Sequence, residues 1–406
     1  MKLRSSTIVA ALALCCAGPL AAQLGLVRGL PALPRIDDLT KPVDGLLGKP
    51  LAEAGNTLRR ARLDRIETLL RANRQTLERD RDGAPARRGV LLLIDPDPAM
   101  LVVVNSLGFR AAALQHIENL DLAVSQVTIP DRVSLAQAQK LITKKLPRAI
   151  VSSDQIFFQS GGAGASGSVA ALVDSGPVKT AIGLIDGAPA QWVTGIKGFA
   201  SGAPFASNHG SAVAALAYAA GGHNIYVADV YGTDPAGGNA LAIAQGMGWL
   251  LGRGAKVISL SLSGPRSPLL ERAVASAQAR GAVIVAAVGN DGPAAPPSFP
   301  ASYNGVLAIT GVDKRDRPLI EAGRAAHLDY AAPGADISAL DRTGKLVPVR
   351  GTSFAAPLVA VRAAAALERG ATPRGVIAAL DAEAVQISRR RPDPQSGRGL
   401  LCSACR

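Results

Sequence analysis

The chain has 406 residues, 48% of them hydrophobic but only 3% aromatic, and a formal net charge of +13. That length can hold two domains, each with its own core; with so few aromatics, Ala, Val, Leu and Gly must do the packing, which suits close-set helices on a parallel sheet. The positive charge is spread along the chain and is not interleaved with aromatic rings, which argues against a nucleic-acid platform.

In chain order, Lys2 and Arg4 precede an apolar run from Ile8 to Cys16 and then Ala21-Ala22-Gln23. Residues 1–22 therefore read as a secretory signal cut after Ala22, with export to the periplasm or the medium. The run is too short for a stable membrane span, and no other segment reads as one. Residues 23–50 are rich in Pro, Gly and Leu and read as extended. From Pro50 to about Asp82 the pattern is helical and charged, with Leu63, Ile66, Leu69 and Leu70 on one face. Segment 23–83 is thus an extended, then helical, lead-in.

Residues 84–160 change character. Gly89–Asp95 and Leu101–Asn105 are strand-like, and Phe109–Ile117 looks helical. Leu122–Ile129 reads as a strand, and Ser134–Leu146 as an amphipathic helix with a serine cap. Ala149–Ser152 and Gln155–Phe158 read as final strands. The sum is a small α+β unit with a mostly antiparallel, ferredoxin-like sheet. Residues 161–176 follow as a Gly/Ala/Ser-rich linker, expected to be cleavable. The composition places a cut near Phe157–Gly162.

Residues 177–406 carry the chemistry. An apolar strand ends at Asp186. His209 opens an alanine-rich helix. The strand-like run within Gly281–Gly292 ends at Gly289-Asn290. Gly351-Thr352-Ser353-Phe354-Ala355-Ala356-Pro357 sets a serine at a helix N-terminus, where free N–H groups and the helix dipole favour negative charge. Each of these residues has an ordinary reading as a cap or turn residue. Together, in this order, they resemble the subtilisin-like serine proteases, over roughly Gly176 to Leu401.

The resemblance implies an α/β fold, a doubly wound, mostly parallel sheet, with the α+β unit as an inhibitory, folding-assisting propeptide. It implies Ser353 as nucleophile, His209 as base and Asp186 as the orienting acid. Asn290 and the Ser353 N–H would hold the oxyanion. Ser261, Leu262, Ser263 and Gly264, on the strand-like run Lys256–Pro265, would line the pocket for the residue before the cut. Where the family often has glycine, Ser263 would narrow that pocket toward smaller residues. Two departures stand out: Ser211 replaces the commoner threonine, and Gly187-Ala188 follows Asp186 where Ser or Thr and then Gly is usual, so a supporting hydroxyl is missing. The helix from His209 reaches the strand Asn224–Val230 almost at once, so the calcium loop often found after it is expected to be absent; the chemistry needs no metal or cofactor.

The implied function is a secreted serine endopeptidase acting through an acyl-enzyme on polypeptides and made as an autoprocessed zymogen, its own propeptide the first partner. Two alternatives differ in class. A carboxyl-type serine protease would use a Glu base, against which His209 and Asn290 speak. A non-catalytic binding protein could keep the fold and be held by its own N-terminal part. Cys402 and Cys405, the two cysteines outside the signal, are expected to form a local disulfide or an inert tail.

Overall fold

The structure, a computed structural model, describes residues 51–164, 167–169 and 177–405. The expected signal, the extended segment 23–50 and much of the Gly/Ala/Ser-rich stretch lie outside them. Among the described residues no helix is long and apolar enough to cross a membrane.

The C-terminal half is organised on a sheet of 7 strands. Across it run Gly195–Gly198, Ile225–Asp229, Ile182–Asp186, Val257–Leu260, Val283–Ala287, Leu307–Val312 and Tyr330–Pro333, each parallel to its neighbours. The central strands are buried on both faces, so they read as continuous apolar runs. Alternate residues serve opposite layers. Leu184, Val283 and Val285 pack with helices Asn208–Ala219 and Thr352–Glu368. Ile185, Ile284 and Ala286 pack with Ala240–Gly252 and Pro268–Ala279. The sheet is therefore doubly wound. From Ile182–Asp186 the chain winds to one edge, then crosses to Val257–Leu260 and winds to the other. The reversal opens a crevice at the carboxyl ends of these two strands, where Asp186 and Ser261 sit.

The N-terminal unit is antiparallel. Strand Pro85–Ile94 lies between Ala123–Thr128 and Ile150–Gln155, and Ala123–Thr128 also pairs with Arg110–Ala111 and Gln115–His116. With helices Pro98–Ser106 and Leu135–Lys145 this is the ferredoxin-like order. Period two decides its two faces. Leu91 and Leu93 point to the unit's own helices, against Val104, Leu135 and Ile142. Leu92 and Ile94 point the other way and join the core formed by Leu241, Met247 and Leu269. One sheet thus shares a core with the helices of the other.

Three sequence expectations give way here. Leu101–Asn105 is helical rather than extended, because Asp97 accepts the Met100 N–H at 2.8 Å and Pro98 occupies the first turn. Phe109–Ile117 is not helical; it holds the short strands Arg110–Ala111 and Gln115–His116, recruited by the sheet edge. The first helix, Leu51–Ala72, stops well short of Asp82. The chain turns at Asn73, and Leu77–Arg79 pairs back onto Pro85–Arg87. Ile66, Leu69 and Leu70 are buried on this helix, whereas Leu63 is 51% exposed.

Asp154 joins the two halves. It is fully buried, its Oδ1 accepts the Leu241 N–H at 3.0 Å, and Arg87 lies 3.5 Å from its Oδ2. Burial pushes its carboxyl up to about 6. A raised carboxyl favours the protonated form in the folded state. The stability it contributes is complete below the unfolded value of about 4 and is lost as pH rises through about 6. We expect thermal unfolding of the Ser353→Ala chain to show this loss, on the order of 3 kcal/mol, between those pH values. Asp154→Asn keeps an acceptor for Leu241 and should remove one proton's share of the slope. An unchanged slope in calorimetry would refute the assignment.

Candidate active site

Asp186 ends a strand with its carboxylate buried. Its Oδ1 accepts the Gly187 N–H at 2.7 Å. His209 lies in the first turn of Asn208–Ala219, where Ser207 caps the helix by accepting the Gly210 N–H at 2.9 Å. The imidazole Nδ1 is 2.9 Å from both Asp186 oxygens, and Nε2 is 2.9 Å from Ser353 Oγ. Nδ1–H facing a carboxylate fixes the tautomer that leaves Nε2 to accept the serine proton. The structure thus brings Asp186, His209 and Ser353 into one hydrogen-bonded line, all three buried.

Ser353 is held by an exchange of hydrogen bonds. Pro357, four residues on, lacks the N–H that would bond the Ser353 carbonyl inside the helix. The Ser261 hydroxyl donates to that carbonyl instead, at 2.9 Å. Gly351 precedes the helix with φ 145°. A Cβ there would lie 2.6 Å from both Asn290 Nδ2 and Ser160 O, so a side chain would crowd the hydrogen bond between them.

Asn290 is oriented by its own partners. Its Oδ1 accepts the Thr352 N–H at 3.1 Å, turning the amide nitrogen toward Ser353. Asn290 Nδ2 and the Ser353 N–H donate to one acceptor, the carbonyl of Ser160, at 2.7 and 2.9 Å. These are the distances an oxyanion site requires.

The segment that delivers this carbonyl fills the crevice. Phe157 N–H donates to Gly238 O at 2.8 Å, and Phe158 and Gln159 pair antiparallel with Ser263 and Leu262. Ser160 N–H donates to Ser261 O at 3.1 Å. Beyond the carbonyl, Gly162 and Ala163 pair with Arg350 and Val349, and Gly164 N–H donates to Pro348 O at 2.9 Å. The Ser160–Gly161 peptide bond therefore lies across Ser353. A Cβ on residue 161 would come within 2.1 Å of Ser353 Oγ, so only glycine fits this pose.

The four pocket residues from the sequence all border this segment, in unequal roles. Ser261 offers its carbonyl to Ser160 and its hydroxyl to Ser353. Leu262 pairs through its backbone while its side chain is core. Ser263 Oγ accepts the Ser160 hydroxyl at 3.0 Å. Gly264 leaves room for the Phe157 ring, 2.5 Å from where its Cβ would be.

Sequence reasoning missed two contributors. Helix Leu51–Ala72 straps the filled crevice: Arg62 and Arg65 bind Asp291 at 3.0 and 2.5 Å, and the Arg65 guanidinium sits 4.9 Å above the Phe158 ring. Asp291 directly follows Asn290. Gln159 was missed as well; its Nε2 donates to Asp186 Oδ1 at 2.8 Å. Among the described residues no group of three or more His, Cys, Asp or Glu could hold a metal ion. Cys402 and Cys405 are joined as a disulfide.

The exchange at Ser353 is testable. Ser261→Ala orphans a buried carbonyl and should cost about 1–3 kcal/mol in denaturant unfolding. With Pro357→Ala the helix regains its own N–H, so the same Ser261 substitution should cost clearly less. Equal losses in both backgrounds would exclude the exchange.

The Subtilase family (Peptidase_S8) profile matches residues 193–389, which include His209, Asn290 and Ser353 and begin just after Asp186. Thermitase from Thermoactinomyces vulgaris is 36% identical over 152 residues, 37% of this chain and 54% of thermitase. Subtilisin BL from Lederbergia lenta is 38% identical over 141 residues, 34% of this chain and 52% of that protein. The chain thus spans about half the length of the curated relatives it matches. Fervidolysin from Fervidobacterium pennivorans, described as a keratinolytic enzyme related to subtilisin, has a similar fold, with a TM-score of 0.67 at 17% identity over 82% of this chain and 63% of its own. Residues 193–389 thus match the Subtilase family, and the parallel-sheet half of this chain has a subtilisin-like fold and is similar in sequence to the subtilisin-like serine proteases.

Proposed function

We propose that the protein is an exported serine endopeptidase, made as a zymogen, and that Ser160–Gly161 is the first peptide bond it cuts. One observation carries the reading: the Ser160 carbonyl accepts from Asn290 Nδ2 and the Ser353 N–H while Ser353 Oγ is bonded to His209 Nε2. Nucleophile, base, oxyanion donors and a substrate carbonyl meet at one point.

The steps follow from these contacts. Ser353 Oγ attacks the Ser160 carbonyl carbon and its proton passes to His209 Nε2. The buried Asp186 carboxylate stabilises the imidazolium, and the two donors hold the oxyanion. The tetrahedral centre collapses, the C–N bond breaks, and His209 gives its proton to the Gly161 nitrogen. Residue 160 is then esterified to Ser353. A water, deprotonated by His209, releases it as a carboxylate. Residues up to Ser160 would remain in the crevice as a product-like inhibitor, held by the backbone pairing of Phe158 and Gln159 and by the helix strap. Later substrates would be polypeptides adding to Leu262–Ser263 in the same extended manner. Export rests on the charged-then-apolar pattern of residues 1–22.

A fluorophosphonate probe tests the reading. The processed wild type should be labelled at Ser353, and Ser353→Ala should neither react nor turn over peptide. The loss should be about a millionfold, as when the serine or histidine of a subtilisin triad is removed. A processed protein that neither labels nor cleaves any peptide would leave the fold as a binding scaffold only.

A further inference from the structure

The Asp186 carboxylate takes its supporting donors from unusual places. Gly187 gives a backbone N–H at 2.7 Å but carries no side chain. A Cβ on residue 187 would stand 2.4 Å from Ser207 Oγ and 3.1 Å from Ser207 Cβ. Ser207 cannot readily move, because its hydroxyl caps the helix that begins at Asn208 and carries His209. The enzyme therefore has no room for a donor side chain on residue 187. The space beside that missing Cβ is taken by the Gln159 carboxamide, whose Nε2 lies 3.5 Å from the Cβ position and donates to Asp186 Oδ1 at 2.8 Å. Asp186 is only 1% exposed while this amide is in place.

We infer that the substrate supplies the missing donor: the residue second before the scissile bond is a positioning residue, and the enzyme selects glutamine there. This rests on the proposed proteolysis and deepens it by naming a substrate class, extended segments of the form Gln-Ser-Gly cut between Ser and Gly. The glutamine amide reaches past His209 to the carboxylate oxygen that also faces Nδ1. It fixes the carboxylate during proton transfer, so its effect falls on turnover and not on binding alone. A substrate lacking the amide leaves a buried carboxylate short of a hydrogen bond when charge develops on the imidazole.

The test uses the wild-type chain after self-processing and three fluorogenic peptides, Phe-Phe-X-Ser-Gly with X as Gln, Met or Glu. Met matches the length of Gln without the amide, and Glu sets a second carboxylate against Asp186. We expect kcat to fall by about tenfold or more from Gln to Met, the size of a lost hydrogen bond to a charged group, with KM little changed. Glu should be the poorest, and its deficit should shrink as pH drops toward its own pKa. In the full chain, Gln159→Met should slow the first cut by a similar factor. Equal kcat for Gln and Met peptides, or a difference confined to KM, would overturn the inference while leaving the proteolytic reading intact. If none of the peptides is cut and Ser353 takes no fluorophosphonate, the proteolytic reading itself fails.

Discussion

The Ser160 carbonyl oxygen accepts two hydrogen bonds, one from the Asn290 amide beyond strand Val283–Ala287 and one from the backbone of Ser353 at the start of helix Thr352–Glu368. These donors come from elements far apart in sequence, and the acceptor comes from the other structural unit. Their meeting sets the register of everything nearby. On one side, Phe157 to Ser160 lies between Gly238 and Ser261–Ser263. On the other, Gly162 and Ala163 pair with Val349 and Arg350. A slip of one residue would turn the side chains to opposite faces, and the slip that brings Ser160 to the place of Gly161 would drive its Cβ into Ser353 Oγ.

Holding a reactive group rigidly requires that its own backbone be satisfied. Pro357 removes one helix hydrogen bond beneath Ser353, and Ser261, whose carbonyl also accepts the Ser160 N–H, replaces it. One residue therefore ties Ser160 to Ser353. The same economy appears at Asn290, whose Oδ1 is engaged by Thr352 so that its nitrogen faces the Ser160 carbonyl. Phe157 and Phe158 are buried in separate clusters, and burial of each side chain is worth about 2 kcal/mol. These contacts would keep the segment in place after the chain is cut.

Much of this was legible in the sequence. The apolar run ending in Asp186, the capped helix at His209, the strand before Asn290 and the glycine-led turn at Ser353 are local patterns, and each lies where its pattern put it. The parallel sheet with helices on both faces follows from buried strands alternating with helices; the order of its strands is seen only in the structure. What was not legible depends on neighbours. The Val102–Val104 run reads as strand by side-chain shape, yet Asp97 and Pro98 start a helix through it. Residues 110–116 are extended only because a sheet edge offers them partners. Nothing local to Gln159 announces that its amide reaches a carboxylate 27 residues away. Pro357, by contrast, was a usable signal: a proline four residues after the serine demands an outside donor for its carbonyl.

Helix Leu51–Ala72 lies over the filled crevice. It grips Asp291, beside Asn290, and Phe158, in the segment that fills the crevice. Opening the site would require both grips to yield. In the proposed reaction the bond lying over Ser353, Ser160–Gly161, is the bond that is broken. Intact-mass and terminal sequencing of the expressed protein addresses that directly. The account requires a fragment ending at Ser160 and one beginning at Gly161, both absent from the Ser353→Ala chain. A different cut site in the wild type, or an uncut chain with full activity, would contradict it.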